Sequence, residues 1–123
     1  MTYEEIFSKT KEIVLKSDVS EINGHLAVQV NIEGEGEGAF YIELKENQLY
    51  VEPYEYYDRD CKFIMAANDF LDLINGKLDP VFAFTVGKLR IEGSIDKALE
   101  FKNIVDRIKK DETKANKNSK KKN

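Results

Sequence analysis

Leu26, Val28, Val30 and Ile32 fall on alternate residues of the stretch "LAVQVNIE". That period gives a strand one apolar face and cannot make a helical stripe, whose positions recur every three or four residues. The chain must therefore build a sheet with one buried face. The stretches "AFYIELKENQ" and "LYVEPYEYY" read as the next two strands, joined around Glu46 and Asn47, and "GEGEG" from Gly34 to Gly38 reads as the hairpin loop before them. Pro53 has no N–H to give a ladder, so the third strand is expected to lie at an edge or to end there. "CKFIMAAN" and "LRIEG" supply a fourth and a fifth strand.

Helical patterns flank these runs. Thr2 and Glu5 have the spacing of a capping box, and Ile6, Phe7, Thr10, Ile13 and Val14 share one face, with Ser17 and Asp18 expected to end the helix. Asn68 or Asp69 is placed to cap "DFLDLINGK", and Gly76 suits the position just past its end. After Pro80, "VFAFTVGK" fits either a short helix or an irregular apolar segment. Ser94 can cap a last helix whose apolar face holds Ile95, Ala98, Leu99, Phe101, Ile104, Val105 and Ile108. The order α-β-β-β-β-α-β-α predicts an α+β fold: a five-stranded, mainly antiparallel (mixed) sheet with helices packed on one face.

At 123 residues, 41% hydrophobic and 34% charged, the chain suits one globular domain. No run approaches the roughly 18 apolar residues of a membrane span, and the start, "MTYEEIFSKTKEIV", is acidic where a signal peptide is basic. A cytoplasmic protein is expected. Cys61 is the sole cysteine, so no internal disulfide can form. Charge is uneven. Residues 109–123 carry seven Lys against Asp111 and Glu112, a net +5, which leaves −9 on residues 1–108. The acidic body argues against a nucleic-acid partner, because phosphate contacts need clustered Lys and Arg. The expected division is a folded domain over 1–108 and a disordered basic tail over 109–123, which has no apolar side chain larger than Ala.

Chemical motifs are few. In "EGEGEGAF" the glycine spacing is wrong for a phosphate loop, and Glu33, Glu35 and Glu37 would repel phosphate. His25 is the only histidine and has no ligand-spaced neighbours, so a strand start is its expected place and no metal is implied. Cys61 alternates with Phe63 and Met65 and is expected as a packed core thiol. With one histidine, no Ser-His-acid grouping can be assembled. Tyr50, Tyr54, Tyr56 and Tyr57 lie among Glu52, Glu55, Asp58 and Asp60, with Arg59 as the one cation, which suits an exposed sheet face or a cavity mouth better than a base-stacking groove.

The stretch "DFLDLINGKLDPVFAFTVGKLRIEGSIDKALEF" resembles the sterol-carrier-protein family. The resemblance rests on Asp69-Phe70, the turn from Leu73 to Leu78, Pro80, Ala83-Phe84, Gly87 through Gly93, and the helix from Ile95; it is strong over about residues 60–108 and rests on element order before that. It implies an apolar tunnel between a five-stranded sheet and its helices, holding a sterol, fatty acid or fatty-acyl ligand, with no catalytic residue and no cofactor. The lining residues expected on this basis are Phe70, Ile74, Leu78, Phe82, Phe84, Val86, Leu99 and Phe101. The chain ends "KKKN", so the peroxisomal address of some members is not carried over. The acidic body implies at most transient membrane contact, by a monomer or a homodimer. The alternative is a homodimerising or partner-docking module with a closed core.

Overall fold

The computed structural model describes residues 1–109. The expected residues 110–123 of the tail lie outside them. Helix α1 spans Tyr3–Val14 and starts at the expected box: Glu5 N donates to Thr2 Oγ1 (3.1 Å) and Thr2 N to Glu5 Oε1 (2.8 Å). It ends at Leu15, before Ser17 and Asp18. Those two belong instead to the tie with the end of the chain's last helix: Ser17 Oγ donates to Ile104 O (2.6 Å) and Asp18 N to Arg107 O (3.0 Å).

Strands β1 (Leu26–Glu33), β2 (Gly38–Lys45), β3 (Gln48–Glu52), β4 (Cys61–Ala66) and β5 (Arg90–Gly93) form one sheet in the order β3-β2-β1-β4-β5. All neighbours are antiparallel except β1 and β4, which run parallel. A parallel pair needs a long crossover. Here β2, β3 and the loop 53–60 provide it. Glu46 and Asn47 turn the β2–β3 hairpin with positive φ at both positions (55° and 62°), the geometry that matches strand twist. β3 is an edge strand and stops at Glu52, immediately before Pro53.

Helices α2 (Ala67–Ile74), α3 (Pro80–Thr85) and α4 (Ile95–Asp106) complete the fold. Two expectations need correction. β4 runs directly into α2, so Ala66 occupies the N-cap without a side-chain bond, and Asn68 and Asp69 already lie in the first turn. "VFAFTV" is helical, which makes the order α-β-β-β-β-α-α-β-α. Asp79 drives this: its Oδ2 accepts from Phe82 N (2.9 Å), and Pro80 sits at N1, where the missing N–H costs nothing.

Leu26, Val28, Val30 and Ile32 face the helices, opposite Leu44, Ile42, Phe40 and Gly38 of β2. Phe40 meets Phe70 of α2 (centroids 5.7 Å) and Phe7 of α1 (5.8 Å). Each such buried side chain contributes roughly 1.5–3 kcal/mol. The other face is polar. Gln29 is buried there because Tyr56 N (2.9 Å) and Arg59 Nη1 (3.5 Å) donate to its Oε1, while Tyr56 stacks on Tyr41 at 4.5 Å. The loop 53–60 thus closes over the sheet's outer side.

Candidate functional site

The turn between α2 and α3 stands off the sheet and leaves a cavity against α4. Gly76 makes the turn possible. Its φ of 77° is the left-handed conformation that ends helices, and Lys77 N and Leu78 N then both donate to Asp72 O (2.8 and 3.2 Å). The chain folds back so that Leu78 overhangs the gap. α4 forms the facing wall, held at its start by Ser94 Oγ accepting from Lys97 N (3.1 Å) and in its middle by Phe101 against Phe63 of β4 (5.4 Å).

The cavity holds about 280 Å³. Buried Leu73 and Phe101 line its depth, and half-buried Leu78 and Val105 its sides. Its rim is charged: Lys77, Asp79, Lys102 and Asp106. Three of these are already engaged, since Lys102 Nζ pairs with Asp106 (3.1 Å) and Asp79 caps α3. An apolar interior with a polar edge suits a molecule with a hydrocarbon body and a polar end. No cysteine, serine, threonine or histidine lines the cavity, and its polar groups are the amines of Lys77 and Lys102 and the carboxylates of Asp79 and Asp106 at the rim.

Of the residues expected to line a ligand site, Leu78 and Phe101 line this cavity. Phe70 and Ile74 are fully buried in the core beside it. Phe82, Phe84, Val86 and Leu99 point outward and are about half exposed. Leu73, Lys77, Lys102 and Val105 were not anticipated. The i, i+4 spacing of Phe101 and Val105, one turn apart on α4, was the available signal for Val105.

The other reactive groups lie elsewhere. Cys61 is buried on the inner sheet face, and desolvation pushes its thiol up to about 12. His25 directly precedes β1. Its Nε2 lies 2.6 Å from Glu43 Oε2, which also accepts from Tyr56 Oη (2.9 Å). The bond to Glu43 raises the Tyr56 phenol above its ordinary value. The cluster secures the loop 53–60 on the sheet's outer face. Among the described residues no group of His, Cys, Asp and Glu is placed to hold a metal, and no helix is long and apolar enough to cross a membrane.

An open mixed sheet with its helices on one face and an apolar cavity at their edge defines a class of small-molecule-holding α+β domain. The model of the SCP-2 sterol transfer family matches residues 4–106, and the chain belongs to that family. It is 35% identical over 88 residues to human sterol carrier protein 2, which covers 70% of this chain and 16% of that protein. It is 36% identical over 78 residues to the mouse hydroxysteroid dehydrogenase-like protein 2, covering 63% of this chain and 16% of that one. The chain therefore spans about a sixth of the length of these relatives. Among solved structures, palmitated SCP2L2 from Aedes aegypti superposes with a TM-score of 0.64 at 18% identity, covering 90% of this chain and 100% of that one. The sec-alkylsulfatase Pisa1 from Pseudomonas sp. reaches 0.68 at 14% identity, covering 80% of this chain and 15% of that one. At these identities the structural likeness is one of fold. Some relatives are enzymes that carry this domain as one part.

Proposed function

We propose that the chain binds one lipid, a fatty acid or comparably apolar molecule, in the cavity between the α2–α3 turn and α4, and passes it on without chemical change. The observation that carries this reading is the pairing of an apolar interior with a charged rim, in a member of the SCP-2 sterol transfer family. Each methylene withdrawn from water contributes about 0.8 kcal/mol, so a hydrocarbon chain needs few polar contacts to bind usefully. The palmitated SCP2L2 of Aedes aegypti, and sterol carrier protein-2 of the same organism in complex with palmitate, support an acyl ligand. Leu73, Leu78, Phe101 and Val105 would contact the chain directly, with Phe70 and Ile74 as the wall behind.

The accompanying reading is a binding domain over residues 1–108, a basic tail over 109–123, and a cytoplasmic location; the sole, buried Cys61 supports the last. A closed interaction module is the weaker alternative, because the α2–α3 turn leaves space rather than filling it. Titration with a fluorescent fatty acid tests the proposal. Saturable binding displaced by unlabelled palmitate and unaffected by nucleotides is expected. Absence of binding by folded protein to both acyl and sterol probes would overturn it.

A further inference from the structure

Helix α3 is apolar on nearly every side and almost unburied. Ala83 is its one buried residue, while Val81, Phe82, Phe84 and the C-capping Val86 are 48–55% exposed. A helix of this composition belongs in a core or against an apolar surface. Ile95 and Leu99 of α4, which packs beside α3, are exposed as well. Among the described residues nothing covers these side chains. Residues 110–123 offer no apolar side chain larger than Ala115 to do so.

Area and charge indicate the occupant. Six side chains at half exposure leave on the order of 500 Å², short of the roughly 800 Å² per partner in a standard protein interface. A bilayer interface sets no such minimum, because binding there scales with the apolar area buried and with attraction to anionic lipids. From Pro80 through Ile91 there is no acidic residue, although residues 1–108 as a whole carry −9. Lys88 and Arg90 lie in this stretch and Lys77 just before it, exposed. Arg90 is paired with Glu33 (2.7 Å) and Lys88 Nζ lies 4.0 Å from Asp69, so an anionic bilayer would repel this edge less than it repels the rest of the acidic body.

We propose that α3 is a membrane-docking element. Val81, Phe82, Phe84 and Val86 enter the boundary between headgroups and acyl chains of an anionic bilayer, and Lys77 and Lys88 lie at the lipid phosphates. Asp79 and Pro80 belong both to the start of α3 and to the cavity rim, so docking turns the cavity mouth toward the bilayer. Docking itself does not require the cavity to be filled.

The chain has no Trp, so Phe82→Trp supplies a single fluorescent reporter. With phosphatidylcholine vesicles containing phosphatidylserine, its emission should shift to the blue and be quenched by brominated acyl chains. Tyr57→Trp, on the loop over the sheet's outer face, should do neither. In co-sedimentation, Phe82→Asp combined with Phe84→Asp should lower the vesicle-bound fraction about tenfold or more. Lys88→Glu should weaken binding to phosphatidylserine vesicles and not to phosphatidylcholine alone. Circular dichroism and fluorescent fatty-acid binding of the double variant should match the parent, which separates docking from cavity binding.

Vesicle binding retained by the double variant would place attachment on the lysines of 109–123 and overturn the proposal. A blue shift that instead follows protein concentration, with a dimer in sedimentation, would assign α3 to a second copy and overturn it too. Loss of fatty-acid binding in the double variant with vesicle binding intact would make α3 a ligand wall, with the same consequence.

Discussion

The ring of Phe101 meets that of Phe63 edge-on, with centroids 5.4 Å apart and planes at 86°. This contact seats α4 on β4. Because Phe101 also lines the cavity, one side chain sets both the position of the helix and the depth of the space beside it. Phe101→Ala should therefore cost about 3–5 kcal/mol of stability, since α4 and the sheet relax only partly into the gap. Chemical denaturation measures this. The vacated volume adjoins the cavity, so the surviving folded protein should favour longer acyl chains than the parent does. A loss below 1 kcal/mol would show that Phe101 is not a packing residue.

Val105 separates ligand binding from stability. It is half-buried and faces the cavity from α4. Val105→Trp should place its ring in the about 280 Å³ that a ligand would use. Fatty-acid affinity should fall about tenfold or more, while stability changes by less than about 1.5 kcal/mol, because the ring enters empty space rather than a packed core. Calorimetric titration and denaturation of the same variant make the comparison. Unchanged affinity would place the ligand elsewhere.

Cys61 should behave as an inert thiol with a particular pH signature. Burial raises it to about 12 from 9.0, with the Asp60 charge a lesser cause. The unfolded chain then loses this proton first, so the contribution of Cys61 to stability is intact below about pH 9 and declines as pH rises toward about 12. The phenols of Tyr3, Tyr41 and Tyr56 are also raised, by burial for Tyr3 and Tyr41 and by the bond to Glu43 for Tyr56, so the informative quantity is the difference in pH slope between the parent and Cys61→Ala. At pH 8 iodoacetamide should label Cys61 only at the rate of unfolding. Rapid labelling of native protein would contradict its burial.

Alternation made the sheet legible before the structure. Leu26, Val28, Val30 and Ile32 face the helices as their spacing requires, and Pro53 marked the end of the edge strand. The neighbours of β1 were another matter. Its parallel pairing with β4 is decided by how the loop 53–60 crosses the sheet, and no local period encodes that. Phe82 and Phe84 show a second limit. The family resemblance implied a cavity lining, yet a six-residue helix held by Asp79 and Pro80 buries only Ala83. Lys102 and Val105 were readable as helix positions, but their role depends on Gly76 folding the α2–α3 turn over α4. The Glu43 link between His25 and Tyr56 joins residues 18 and 13 positions apart and follows from strand pairing rather than from any motif.

The most direct test of the central claim is to locate the ligand. Uniformly ¹³C-labelled palmitate added to the full chain allows nuclear Overhauser contacts between acyl methylenes and protein methyl groups to be measured by NMR. The account predicts contacts to Leu73, Leu78 and Val105 that saturate as the fatty acid is added and disappear in Val105→Trp. Contacts confined to Val81 and Val86 on α3, or no saturable contact at all, would contradict it.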